Sequence, residues 1–169
     1  MKILILGATG MLGYSLFSNL NEHDYLSVFG TVRGIAGKEH FFKGTQQQLI
    51  TGVDAYNISS LQHAIETVAP DVVINCVGLI KQHGISKQHI DAVKINALLP
   101  HELANICDQF NAKLIHFSTD CVFTGQLGLY TEDSLPDALD LYGKSKCLGE
   151  VSYGKHLTLR TSIIGHELA

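Results

Sequence analysis

"ILILGATGMLG", Ile3 to Gly13, decides how the chain is read. An apolar run, "ILIL", meets three glycines, Gly7, Gly10 and Gly13, and a helical pattern follows over Met11 to Leu20. A strand buried on both faces of a parallel sheet is continuously apolar, whereas a half-exposed strand alternates. Glycines between such a strand and a helix have physical tasks: a tight turn, close approach of backbone to a pyrophosphate, and close packing of helix on strand. The helix start then offers unpaired N–H groups and the positive end of its dipole to phosphate. In that setting the loop reads as a dinucleotide site, with Gly7, Thr9, Gly10, Met11, Leu12 and Gly13 around the cofactor, rather than as a turn without a ligand.

Outward from this loop the same alternation continues. Strands are expected at Lys2 to Leu6, Tyr25 to Val32, Asp71 to Val77, Lys113 to Ser118 and His156 to Ile164. Helices are expected at Met11 to Leu20, Ser59 to Val68, Ser86 to Phe110 and Leu141 to Tyr153. "VVIN" and "LIHF" are as apolar as "ILIL", so the prediction is an α/β doubly wound (Rossmann) parallel sheet with helices on both faces. Gly34 to Thr51 has no clear pattern apart from a short strand near Leu49 to Val53. There is no internal repeat.

A chain of 169 residues, 46% hydrophobic, suits one domain with its own core. Twelve basic and sixteen acidic side chains without a run of like charge argue against nucleic acid or a membrane surface as partner. The nine histidines form no H-x-x-x-H or H-E-x-x-H arrangement, which leaves a metal site without support. The four cysteines form no C-x-x-C pair and read as reduced, packed thiols. No signal-peptide pattern and no apolar stretch of roughly 18 residues is present, so a cytoplasmic location is expected.

Which dinucleotide binds should show where the second strand ends. "FGTVRG" has no carboxylate there to accept from an NAD ribose, and Arg33 suits the 2′-phosphate of NADP. NADP(H) is therefore the preferred cofactor, with NAD(H) as the alternative. In "LYGKSKCLGE", Leu141 to Glu150, a tyrosine and a lysine stand four apart, which puts Tyr142 and Lys146 on one helix face. That spacing alone also fits a solvated surface pair.

Taken together, "GATGMLG", "INCVG", "KINALLP", "STDCVF", "YGKSK" and "LTLRTSIIG" resemble, in this order, the extended short-chain dehydrogenases/reductases. "STDCVFTG…YTEDSLPDALDLYGKSKCLGE" is most similar to the dTDP-4-dehydrorhamnose reductases, which reduce the 4-keto group of a nucleotide-linked deoxysugar. The resemblance implies that Tyr142 is the proton donor, that Lys146 holds the nicotinamide ribose and acidifies Tyr142, and that Thr119 hydrogen-bonds the substrate carbonyl. It implies that Asn96 supports the lysine through water, that Asp54 lies near the adenine, and that Asn75, Cys76, Val77 and Gly78 follow the cofactor. The physics agrees. A phenol with a pKa near ~10 is a sluggish acid until a nearby cation favours its phenolate, and an alkoxide formed by hydride transfer needs a proton and a polarising hydrogen bond. Asp120 reads as a loop cap, and Cys121 as a packed thiol with no cation beside it.

Two departures narrow the expectation. Related 4,6-dehydratases carry Thr-Asp-Glu where this chain has Thr119, Asp120 and Cys121, so simple reduction is favoured over water elimination. Many rhamnose-pathway reductases have a tyrosine at the Cys121 position, which leaves the sugar open. The family's sugar-binding lobe follows the last motif and is largely absent, so this polypeptide is expected to bind NADPH and turn over a sugar nucleotide poorly. Alternatives are a nucleotide-sugar epimerase and a cofactor-binding regulatory subunit without catalysis. Relatives pair through the helices at Ser86 to Phe110 and Leu141 to Tyr153, so a homodimer is expected.

Overall fold

The strand β1 (Lys2–Leu6) is buried along almost its whole length because it has a parallel neighbour on each side. The structure, a computed structural model, describes residues 1–80 and 89–163. Among these, the remaining strands are β2 (Ser27–Thr31), β3 (Leu49–Ile50), β4 (Val72–Asn75), β5 (Lys113–Thr119) and β6 (Leu157–Thr161). They form one parallel sheet in the order β3-β2-β1-β4-β5-β6, as predicted for a doubly wound fold. The order reverses between β1 and β4, and the crevice beyond their carboxyl ends is where such sheets bind ligands.

Side-chain alternation along β1 divides the core in two. Leu4 and Leu6 join Leu61 and Ile65 of α2 (Ile58–Val68) and Leu103 of α3 (Leu99–Gln109) on one face. Ile3 and Ile5 join Phe17 of α1 (Met11–Leu20) and Phe42 on the other. Each such side chain, fully buried, contributes about 1.5–3 kcal/mol. The stretch between β2 and β3 forms two 3₁₀ turns, Glu39–Phe42 and Gln46–Gln48. The first presses Phe42 edge-on against Phe17 and Tyr14.

Register sets the floor of the crevice. Leu6 is level with Asn75, and Asn75 with His116. β5 runs on to Thr119, so Phe117, Ser118 and Thr119 project past the end of its neighbour β4, while β6 on the other side accompanies them as far as Thr161.

Several elements are shorter than the sequence pattern suggests. β2 omits Tyr25, which is exposed. Helix α4 (Leu141–Leu148) stops at Gly149 rather than Tyr153. The long helix predicted from Ser86 is one continuous helical run over 89–109 among the described residues, its α-helical bonding broken by a π-helical turn Ala92–Leu98 that leads into α3. Pro100 accounts for the break: it has no N–H to give Asn96 four residues earlier, and the Leu99 N–H reaches back to the Lys94 carbonyl instead. The predicted start at Ser86, and the Ile164 end of the last strand, lie outside the described residues.

Candidate functional site

Gly7 leaves β1 with φ at +83°, a conformation that glycine adopts without strain. Its N–H donates to Thr31 Oγ1 at 3.2 Å, and its carbonyl accepts from Gly10 N at 3.0 Å, which closes the turn. A Cβ on Gly13 would overlap that same carbonyl, so helix α1 can lie this close to the turn only with glycine there. Gly10 caps α1 without any side-chain acceptor, leaving the first N–H groups directed at the crevice. An uncapped helix start above a bare glycine turn fits the pyrophosphate of a dinucleotide.

Two clefts meet along the carboxyl edge of the sheet and share Gly10, Cys76, Val77, Gly78 and Leu79. The smaller, of about 290 Å³, lies over β2 and includes Gly7, Thr9, Thr31, Arg33, Asp54 and Tyr56. The larger, of about 630 Å³, includes Met11, Leu12, Thr119, Tyr142 and Lys146. Thus one groove connects the glycine loop with the tyrosine and the lysine. Gly13, Asn75 and Asn96, also predicted at the site, stand behind its lining.

Local contacts explain how α4 presents its face. Asp140 caps the helix by accepting from Gly143 N at 2.9 Å. Gly143 and Gly149 then allow near contact, since a Cβ on the first would strike the Cys121 carbonyl and one on the second the Asn96 carbonyl. Asn96 is buried and clamps the groove's rim: Oδ1 accepts from Leu79 N at 2.8 Å, and Nδ2 donates to Leu79 O at 3.1 Å and to Ser145 Oγ at 3.2 Å. Its direct partners are therefore the loop after β4 and helix α4.

Lys146 is 5% exposed; its ammonium donates to Phe117 O at 2.6 Å and lies 3.4 Å from His116 Nε2. Burial brings its pKa down to about 8, against the opposing pull of Glu150 and Cys76. Burial also drives the Cys76 thiol up to about 12. Thr119 Oγ1 accepts from Cys121 N and donates to Asp120 Oδ1, both at 3.2 Å. Asp120 in turn accepts from Ser162 Oγ, which holds its carboxyl below the usual carboxylate range.

Sequence reasoning passed over His116, Tyr56 and Ser145, and placed Thr31 at the end of the second strand without its bond to the Gly7 N–H. His116 had a signal, a polar ring inside the buried run "LIHF"; Thr31 and Ser145 are recognisable only once their partners are brought near. Among the described residues no group of three or more His, Cys, Asp or Glu could hold a metal, and no helix is long and apolar enough to cross a membrane.

Comparison with known proteins gives the arrangement a context. The family described as RmlD substrate binding domain matches residues 1–166. A probable low-salt glycan biosynthesis reductase of Haloferax volcanii is 29% identical over 151 residues, covering 89% of this chain and 48% of the relative. Methionine adenosyltransferase 2 subunit beta of Rattus norvegicus is 28% identical over 149 residues, covering 88% of this chain and 41% of the relative. The crystal structure of dTDP-4-dehydrorhamnose reductase from Bacillus anthracis in complex with NADP superposes with a TM-score of 0.76 at 27% identity, covering 94% of this chain and 52% of that one. The chain spans about half the length of these relatives.

Proposed function

This chain belongs to the RmlD substrate binding domain family, and from that premise we propose that it forms the cofactor-binding and proton-donating portion of an NADP-dependent reductase acting on the 4-keto group of a nucleotide-linked deoxysugar. The observation that carries the reading is the single groove joining the uncapped start of α1 to Tyr142 and Lys146. Bound in it, NADPH supplies hydride to the keto carbon. The chain's own residues handle the oxygen. Thr119 turns its hydroxyl from Asp120 to the carbonyl, polarising it as charge develops. Tyr142 transfers its phenolic proton to the new alkoxide, and the Lys146 ammonium in the same groove makes that phenol the stronger acid. Arg33, at the mouth of the smaller cleft, pairs with the 2′-phosphate, and Asp54 lies by the adenine.

Fluorescence titration tests the cofactor. NADPH binds at least about tenfold tighter than NADH, and Arg33→Ala removes the difference; equal or tighter binding of NADH overturns the preference.

A second reading, a cofactor-binding subunit of another enzyme, draws on the similarity to methionine adenosyltransferase 2 subunit beta. A stable heteromeric partner, together with a Tyr142→Phe variant of full biological activity, decides for it. The homodimer is supported by Ile90, Val93, Leu98, Leu148 and Tyr153, all exposed on or beside the two helical segments predicted to pair.

A further inference from the structure

Lys146 stands at the end of a run of hydrogen bonds that can be polarised in only one direction. The run starts at the backbone N–H of Val77, which can only donate, and does so to Asn75 Oδ1 at 3.0 Å. With the amide oriented in this way, Asn75 Nδ2 is the donor toward His116 Nδ1, 3.1 Å away. A neutral imidazole that accepts at Nδ1 has its proton on Nε2. His116 is such a ring. It is fully buried, and burial first, then Lys146 and His101, brings its pKa to about 3. Its Nε2–H is therefore aimed at Lys146 Nζ, 3.4 Å away. An ammonium has no lone pair with which to accept that proton; a neutral amine has one.

We propose that His116 is a positioning residue which, as the last donor of this one-way run from Val77, makes Lys146 an exchangeable proton carrier rather than a permanent cation. This deepens the reading of Lys146 given above and rests on it. After Tyr142 has given its proton to the alkoxide, an N–H bond of the Lys146 ammonium breaks and the O–H bond of Tyr142 re-forms. The amine left behind accepts from His116 Nε2–H until it takes a new proton from water. The groups facing the lysine are consistent with this. Cys76 beyond β4 holds its proton, His116 on β5 is neutral, His101 on α3 acts on His116, and Glu150 after α4 is the anion that keeps the ammonium accessible. The lysine's own value, about 8, lies where a carrier can change charge at neutral to mildly alkaline pH.

The test is an NMR titration of the unliganded chain labelled at the lysine Cε, from about pH 6 to about pH 11. His116→Leu removes the opposing N–H, and Lys146 binds its proton about tenfold or more tightly. Asn75→Asp offers a carboxylate that accepts from both Val77 N–H and His116 Nδ1–H; this reverses the run and raises the proton affinity at least as far. A Lys146 titration in His116→Leu within about threefold of wild type overturns the proposal, as does an unchanged titration in Asn75→Asp. If His116→Leu does not fold, Asn75→Asp decides alone. Wild-type NADPH titration separates the two readings: no binding defeats the functional reading, whereas intact binding with an unaltered lysine in the variants defeats only this one.

Discussion

Lys146 is under opposing demands. Burial against Phe117 and His116 positions it, and the same burial penalises its charge, taking its pKa from 10.5 to about 8. Between those two values the unfolded chain retains a proton that the folded chain has lost, so the lysine's contribution to folding stability improves as pH rises across this window, and its cost is greatest below about pH 8. Denaturant unfolding of wild type and Lys146→Met isolates that contribution, because titrations common to both proteins drop out of the difference. The stability of wild type relative to the variant rises by about 1–3 kcal/mol between about pH 7.5 and about pH 10.5; a flat difference would show that the lysine is not desolvated. At the acid end the sign follows from His116. Its pKa is depressed from 6.5 to about 3, so stability falls as pH drops below 6.5 and the unfolded chain takes up the proton first.

Among the elements, α4 does most to build the site, and its placement depends on small residues and one cap. Gly149→Ala would force a methyl group into the Asn96 carbonyl and costs about 1–3 kcal/mol. Gly34→Ala, which meets open space, stays within about 0.5 kcal/mol in the same unfolding assay. Equal effects of the two would show that close contact of α4 with the π-helical turn is not what glycine permits there. Asp140→Ala removes the acceptor for Gly143 N and costs about 1 kcal/mol. Since that helix presents both Tyr142 and Lys146, NADPH affinity falls along with stability.

For the whole molecule, the doubly wound order leaves one crevice at the reversal between β1 and β4, and the groove occupies it. Val93 and Leu98 of the π-helical turn and Leu148 of α4 are exposed apolar side chains on two segments joined by the Asn96–Ser145 hydrogen bond, and a second copy would cover them. If the proposed pairing holds, light scattering is expected to give a dimer for the wild-type chain, and Val93→Glu combined with Leu148→Glu is expected to give a monomer with an unchanged circular dichroism spectrum. A monomeric wild type at micromolar concentration refutes the pairing.

The continuous apolar runs "ILIL", "VVIN" and "LIHF", with glycines after the first, were sufficient by themselves to determine the parallel sheet and the glycine turn at its carboxyl edge, because burial on both faces and a turn with φ above zero each impose a local residue type. Local patterns also put Tyr142 and Lys146 on one helix face. Tertiary structure alone decided the rest. The π-helical turn arises because Pro100 withholds a donor from Asn96, while Gly149 brings α4 against that same carbonyl. The line from Val77 through Asn75 and His116 to Lys146 spans β4, β5 and α4, and its polarity follows from distances that exist only after these three have packed.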